Sequence, residues 1–511
     1  MSIPISQCLI ISTFVLLIPL YLYFRSSTRS KNPSVLPTNW PILHMFPSFI
    51  ANRHNVHDYF TMVLARSSHN FRAHGPPGFG MRFFVTSDPA NVRHIMTTNY
   101  TNFPKGAEVA AMFDIMGGSL LTIDGEPCRR QRSKVQSILS SPPFVACVVA
   151  CCHEKLENRL LPFFANMART STPFDVQEVM SRFMFDLATT SLVGVDPGLL
   201  ATDMPPMHAA VAMSTVMEAG YFRQGMPTFC WKVMRWLNTG FERNLRAAHM
   251  VLQGFFTEMM ERRKIKLELV GNDEEQDSVD FISSFINDPN YADDELLRAI
   301  FIGYLLAARD TITTTVTWIL YNLAQNPGIV PNIRHELSSI ASRKVEAATG
   351  RMLIFEPEET KYLVYLTAVL YETLRLYPPV PFERKTVAAD DIMPSGHEVR
   401  AGDTILISLY SMGRMEGVWG ENCLDYNPGR WLSEDHNKLR YVPSHKFLAF
   451  NSGPRMCLGK DIGIMQMKTI IATMVWNFDM EMVEGQIIKP KWSSILEMKN
   501  GLIVKLKKRE M

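Results

Sequence analysis

The chain has 511 residues, 47% of them hydrophobic and 20% charged, the balance of a globular protein with a large buried core and not of a disordered or fibrous one. A formal net charge of +2 gives no overall attraction to nucleic acid, and no local basic motif supplies one. The eight cysteines have neither the regular spacing of a disulfide framework nor a CxxC pair for zinc, which favours a reduced, cytosol-facing body.

The first element in the chain is "CLIISTFVLLIPLYLYF", Cys8 to Phe24, uncharged and close to the minimum length that crosses a bilayer as a helix. It reads as a membrane anchor. A cleaved signal peptide is the competing reading, but no basic segment precedes it and no small-residue cleavage site follows. Arg25, Arg29 and Lys31 come directly after, so the positive-inside tendency puts the bulk of the chain on the cytosolic side. Pro33, Pro37 and Pro41 suit a stiff hinge. The expected organisation is an anchor over 1–30, a hinge over 31–48 and one large domain over 49–511.

"GPPGFG", Gly75 to Gly80, carries two prolines and opens no helix, so a turn is expected there and not a phosphate-binding loop. "MRFFVTS" after it predicts a short strand, as do "TILISLY" (Thr404 to Tyr410) and the C-terminal "LIVKLK". Helical periodicity dominates the middle of the chain, broken by the acidic loop "GNDEEQD" (Gly271 to Asp277). "DGEPCRRQRSK", Asp124 to Lys134, gives a helix with a basic face. His335 and Glu336 lack the second histidine of a zinc-binding HExxH helix.

The longest expected helix opens at Asp293 and Asp294 and stops before Pro327. It is apolar on nearly every face and so must be buried in the middle of the protein. Inside it, Asp310 and Thr311 are costly unless paired or facing a wet site. A threonine bonded back to its own helix and an aspartate paired with Arg309 would satisfy them without any catalytic role. In "YETLRLYPPVPF", Glu372 and Arg375 are three apart on one helical face, the spacing of an ordinary surface pair.

"FNSGPRMCLG", Phe450 to Gly459, surrounds Cys457 with glycine, proline and arginine. The segment after it has helical spacing, which predicts Cys457 at a helix N-terminus, where N–H groups and cations favour a thiolate. Gly453 and Gly459 permit positive φ or the close approach of a flat ligand, Pro454 stiffens the turn, and Arg455 could pair with an anionic group of that ligand. A flat, anionic, metal-containing ligand is haem.

The same phrase matches the FxxGxRxCxG signature at every fixed position, and the chain resembles the cytochrome P450 haem-thiolate monooxygenases. The resemblance implies a mainly α fold with small β-sheets, a single catalytic domain behind an N-terminal transmembrane helix, and haem (heme b) as cofactor. It assigns Cys457 as axial thiolate and metal ligand, Arg455 as propionate partner, Phe450 as a ring shielding the thiolate side and Gly459 as part of the haem cradle. Glu372 and Arg375 are similar to the family's ExxR helix, with Arg430 of "NPGRW" as third member of a buried cluster. "AARDTI", Ala307 to Ile312, resembles the oxygen-binding motif and assigns Asp310 and Thr311 to proton delivery. Arg132 fits the arginine of the family's WxxxR pattern as a haem-propionate donor. Four positions depart from the family pattern: Cys128 stands for the tryptophan of WxxxR, Ala308 for a glycine, Ile312 for a hydroxylic residue and Gly429 for a glutamate.

"MPSGHEV" (Met393 to Val399), "GRMEGVWGENCLDYNPGRW" and "GPRMCLGKDIGIMQMK" are similar to the plant clan of fatty-acid and alkane hydroxylases, particularly the mid-chain alkane hydroxylase family, whose relatives also couple phenol rings of alkaloids. The implied activity is hydroxylation of a long-chain aliphatic substrate with O2 and electrons from an NADPH-cytochrome P450 reductase, by a single-pass protein of the endoplasmic reticulum membrane with a cytosolic catalytic domain. Oxidation or phenol coupling of a specialised metabolite, and haem binding without turnover, are the alternatives. The family's substrate-contact segments correspond to Phe113, Ile115, Met116, Ala307, Thr311, Val380, Phe382 and Ile495, whose apolar character suits a hydrophobic small molecule. No nucleic-acid partner is expected.

Overall fold

The computed structural model describes residues 45–75, 81–201, 203–270, 280–345 and 352–510. The expected anchor, the cations and prolines after it, the body of the "GPPGFG" turn and the acidic loop at 271–277 lie outside the described residues. Among the described residues no single helix is long and apolar enough to cross a membrane.

The helices that frame the centre follow from apolar spacing and from local caps. The basic segment forms α1 (Gly125–Leu139). α2 (Val176–Val193) starts where the Asp175 carboxylate accepts the Gln177 N–H at 2.9 Å and ends at Gly194 in the left-handed region. α3 (His208–Gln224) and α4 (Gly240–Val270) pack along each other. The long buried helix opens at α5 (Asp294–Leu305), capped by Asp293 accepting the Glu295 N–H at 3.0 Å. It widens into a π turn over Leu306–Asp310 and continues as α6 (Thr311–Gln325) to a stop at Asn326 before Pro327. The π turn is the one feature of this helix that apolar spacing does not announce. α7 (Val330–Val345), α8 (Val364–Leu376) and α9 (Lys460–Asn477) complete the set used below.

The strands are short. β1 (Asn70–His74), β2 (Arg82–Thr86), β4 (Phe382–Thr386) and β7 (Thr404–Ser408) form one sheet in the order β1-β2-β7-β4, with β2 parallel to β7 and the other pairs antiparallel. β3 (Phe174–Asp175), β8 (Phe478–Met482) and β9 (Ile503–Lys508) form a second, and β5 (Asp391–Ile392) pairs with β6 (Glu398–Val399).

Two large apolar clusters divide the helices. One gathers Met180, Val316, Val369, Leu370 and Ile470 from α2, α6, α8 and α9; the other gathers Val216, Leu252, Ile300 and Phe301 from α3, α4 and α5. Each such side chain contributes about 1.5–3 kcal/mol when fully buried. The long helix belongs to both clusters at different turns, and the cavity described next is lined from both sides of it.

Candidate active site

The loop before α9 is shaped by one obligatory glycine. Gly453 has φ +60, and a β-carbon there would lie 2.2 Å from the Met96 carbonyl oxygen, so no other residue fits without moving backbone. A 3-10 turn over Gly453–Arg455 follows, and the Cys457 N–H donates to the Phe450 carbonyl at 2.8 Å, closing the loop. Of the two roles open to Gly459, positive φ is not the one it takes: its φ is −87, and a β-carbon there meets no atom within 4 Å. The room beside it belongs to a cavity of about 510 Å3 that Phe450, Cys457 and Gly459 line together.

Cys457 is exposed, and the space it faces is this cavity. Burial of its surroundings nevertheless pushes the thiol up, a push that the Gly459 N–H and Arg132 only reduce. The helix terminus and the cations act in the expected direction, the Gly459 N–H, Arg132 and Lys460 each favouring the thiolate against desolvation. A coordinated metal ion would deprotonate the sulfur outright.

Phe113, Met116, Ala307, Thr311, Val380, Phe382 and Ile495 line the cavity. Ile115, expected beside them, does not; it packs partly buried against the α3–α4–α5 cluster. Asp310 does not line it either. Its carboxylate is buried, 2.7 Å from Arg309 Nη1, while Arg309 donates to Ser181 Oγ and lies 5.5 Å over the Phe185 ring. Burial holds the Asp310 carboxyl above its ordinary range against the pull of Arg309. The Thr311 hydroxyl donates to the Ala307 carbonyl at 2.7 Å. Both side chains thus have the helix-internal partners that the sequence allowed, and only Thr311 also faces the cavity. Ala308 lines it inside the π turn, a wide turn of the kind common at functional sites.

One side of the cavity is cationic. Arg132 donates to the Met456 carbonyl, and Arg455 donates to Asp124, to the Ile123 carbonyl at 2.8 Å and to Cys128 Sγ at 2.8 Å. Arg129 turns outward to Glu126, and neither it nor Arg130 lines the cavity. Two cations escaped the sequence reading. Lys105 lines the cavity with Nζ 2.7 Å from the Leu121 carbonyl, and burial pushes its ammonium down to about 8. Arg384 on β4 lines it too; its Nη2 donates to Glu108 and, at 3.1 Å, to Thr404 Oγ1, while Nε and Nη1 are buried with no hydrogen-bond partner. The Glu108 carboxylate meets the other edge of this guanidinium, and the two unpartnered nitrogens are open to a further acceptor. No alternation in "FERKT" flags Arg384, since it and Lys385 are both buried on this strand. A cysteine at one wall, open room beside Gly459 and unpartnered cationic nitrogens at an edge fit a flat, anionic metal group.

Behind the loop, Glu372 is fully buried and takes Arg375 Nε and Nη2 at 2.7 and 2.8 Å, Arg430 Nε at 3.4 Å, the Asn427 N–H at 2.8 Å and Trp431 Nε1 at 2.9 Å. Trp431 is the member the sequence reading missed. Gly429 does not disturb this cluster; its N–H is capped by Asn427 Oδ1 at 2.9 Å, and a β-carbon there would crowd the same oxygen. The cluster reaches the cysteine loop through Phe447, whose ring is 4.6 Å from that of Trp431 and 5.4 Å from that of Tyr371.

Comparison with known proteins agrees with this arrangement. The cytochrome P450 family model matches residues 34–506. The chain is 36% identical to noroxomaritidine synthase 2 of Narcissus pseudonarcissus over 95% of its own length and 94% of the relative's. It is 34% identical to the alkane hydroxylase MAH1 of Arabidopsis thaliana, over 97% and 98%, and 34% identical to cytochrome P450 86B1 of the same plant, over 94% and 87%.

Proposed function

The chain belongs to the cytochrome P450 family, a haem-dependent monooxygenase with a cysteine thiolate as the axial ligand of its cofactor, and on that premise we propose that it hydroxylates a long-chain aliphatic substrate, an alkane or fatty acid. The observation that supports this substrate class is the charge of the cavity wall. Glu383 is the one acidic residue among the described residues lining it. Although burial pushes that carboxyl up, Lys385, 2.9 Å away, and Lys105 hold it below its ordinary range. The wall thus has no free carboxylate for an ammonium group, which would be left unpaired at a cost of several kcal/mol. The remaining surface around Val109, Met112, Met217, Ile300 and Leu306 accepts a hydrocarbon chain without such a cost.

Bound haem supplies the redox chemistry, its thiolate donating electron density that favours O–O cleavage. Each protein group has a defined task around it. Cys457 would hold the iron, Arg132 and Arg455 would pair with the anionic groups of the cofactor, and Phe450 and Gly459 would lie beside it near Cys457. Thr311 holds a proton at Oγ on the opposite wall, and Asp310, one residue behind and raised by burial, is a proton reserve for it. The apolar side chains keep bulk water from the reacting carbon. Glu372, Arg375 and Arg430 keep the cysteine loop in register.

In this reading residues 1–30 anchor the chain in the endoplasmic reticulum membrane, 31–48 form the hinge, 49–511 face the cytosol, and electrons arrive from an NADPH-cytochrome P450 reductase. A second reading, oxidation or phenol coupling of a specialised metabolite such as an alkaloid, draws on the similarity to the noroxomaritidine synthases and on Tyr221, Gln224 and Tyr304 in the cavity lining. Titrating the ferric full-length protein with dodecane, lauric acid and a phenolic amine, followed by product analysis with reductase and NADPH, decides between them. A saturable low-spin to high-spin shift and hydroxylated product from the aliphatic compounds alone is expected. Turnover of the amine alone would replace the first reading with the second.

A further inference from the structure

A glycine inside α3 has no turn to make. Gly220 lies well within the helix and is buried, at a position where alanine gives a more stable helix. What its missing side chain leaves is room for an aromatic ring. A β-carbon at Gly220 would lie 2.2 Å from Phe113 Cε1, 2.6 Å from Cζ and 3.0 Å from Cδ1. Phe113 is itself a wall of the cavity.

The backbone on both sides of that ring is fixed from the same helix. Arg223, one turn after Gly220 and fully buried, donates from Nη1 to the Met112 carbonyl at 2.9 Å, to the Ala111 carbonyl at 3.2 Å and to Asp114 Oδ1 at 3.3 Å. Its Nε and Nη2 are held by Glu242 of α4 at 2.7 Å each, and Arg235 holds Asp114 from the other side at 2.5 Å. The residues flanking Phe113 therefore cannot retreat without breaking a buried charge network. A ring expelled from the notch can turn into the cavity it already lines.

We propose that Gly220 is a specificity-determining residue: it stores the Phe113 ring against α3 and so sets how wide a substrate the cavity admits, with Arg223 as the residue that positions the ring's backbone. The inference rests on reading the cavity as the substrate site. Gly220 touches no substrate; it acts through Phe113.

The test uses the full-length haem-loaded protein and two probes that ligate haem iron through the same nitrogen, imidazole and 4-phenylimidazole, followed by their optical shift. Gly220→Ala is expected to weaken 4-phenylimidazole at least tenfold more than imidazole. Phe113→Ala should relax the discrimination, and adding Gly220→Ala to Phe113→Ala should change neither probe by more than twofold, because the clashing ring is gone. An unchanged probe ratio in Gly220→Ala, or a penalty that persists without the ring, overturns the inference. If Gly220→Ala fails to retain haem, the comparison of Phe113→Ala with the double variant decides: equal haem content and equal probe affinities support the notch, and a loss in the double variant refutes it. Failure of dodecane to compete with 4-phenylimidazole in the unsubstituted protein would instead sink the substrate-site reading and leave the Gly220 result standing.

Discussion

The Arg455 guanidinium donates to the Cys128 sulfur across 2.8 Å, joining the cysteine loop to α1. Asp124 and the Ile123 carbonyl both accept from Nη2 of the same guanidinium, so Cys128 is one of three partners. Cys128→Ala should therefore cost only about 0.5–1.5 kcal/mol. Cys128→Trp should cost more, about 1–3 kcal/mol, because Cys128 is 5% exposed and the indole would overpack the site. Thermal unfolding and haem retention of the two variants check the order, and a tryptophan variant more stable than wild type would contradict it.

Breaking the buried cluster behind the loop should be far more damaging. Glu372→Ala leaves Arg375, at 2% exposure, without its carboxylate, a loss of about 3–5 kcal/mol. Arg430→Ala removes a longer contact to Glu372 together with bonds to the Trp419 carbonyl and to Asn422, but Glu372 keeps Arg375, Trp431 and the Asn427 N–H and no charge is left unpaired, so a smaller loss of about 1–3 kcal/mol is expected. Denaturant unfolding followed by haem absorbance separates the two. Equal destabilisation would mean that Arg430 is as deeply engaged as Arg375.

The contrast between these two sites explains how much was legible. Contiguous features carried their own signals: the Asp293 cap, the stop before Pro327, the strands at 82–86, 404–408 and 503–508, and the loop around Cys457 all follow from residues next to one another. Tertiary partners left no local trace. Lys105 and Arg384 reach the cavity from segments nearly 300 residues apart, and Trp431 bonds Glu372 across 59 positions. Asp310 was legible as an expensive group but not in its direction, since a charged residue in a helix buried on nearly every face can point to either side. The groups that favour a Cys457 thiolate were legible beside it, but the burial that opposes them was not, because desolvation depends on everything packed around the sulfur, which no spacing records.

A pH dependence is built in beside the cavity. His57 is buried, stacks on Phe382 with ring centroids 5.3 Å apart, and its Nδ1 has no hydrogen-bond partner. Burial, helped by the Arg414 charge, pulls its pKa down to about 3 from 6.5. The unfolded chain then binds this proton before the folded one does, so stability is fully present above about pH 6.5 and falls as pH drops toward 3. At about 1.4 kcal/mol per unit the loss approaches 5 kcal/mol at the acid end. His57→Phe should flatten the pH profile of chemical unfolding between pH 6.5 and 4; an unchanged slope would mean that His57 stays solvated.

Thr311 and Asp310 should separate into two kinds of defect. Thr311→Ala removes a hydroxyl bonded only to its own helix, at Ala307, so haem binding and stability should change by less than about 1 kcal/mol. If its Oγ delivers the proton at the cavity wall, product formed per NADPH consumed should fall about 100-fold, with Thr311→Ser retaining most of it. Asp310→Asn instead removes the charge facing buried Arg309, and a stability loss of about 3–5 kcal/mol should accompany any change in turnover. Measuring unfolding and coupling together on both variants distinguishes the roles, because a purely structural Asp310 lowers stability while product per NADPH in the surviving protein stays at the wild-type ratio. A Thr311→Ala protein with undiminished coupling would remove Thr311 from the proton path and leave it as a helix-bonded residue that happens to line the cavity.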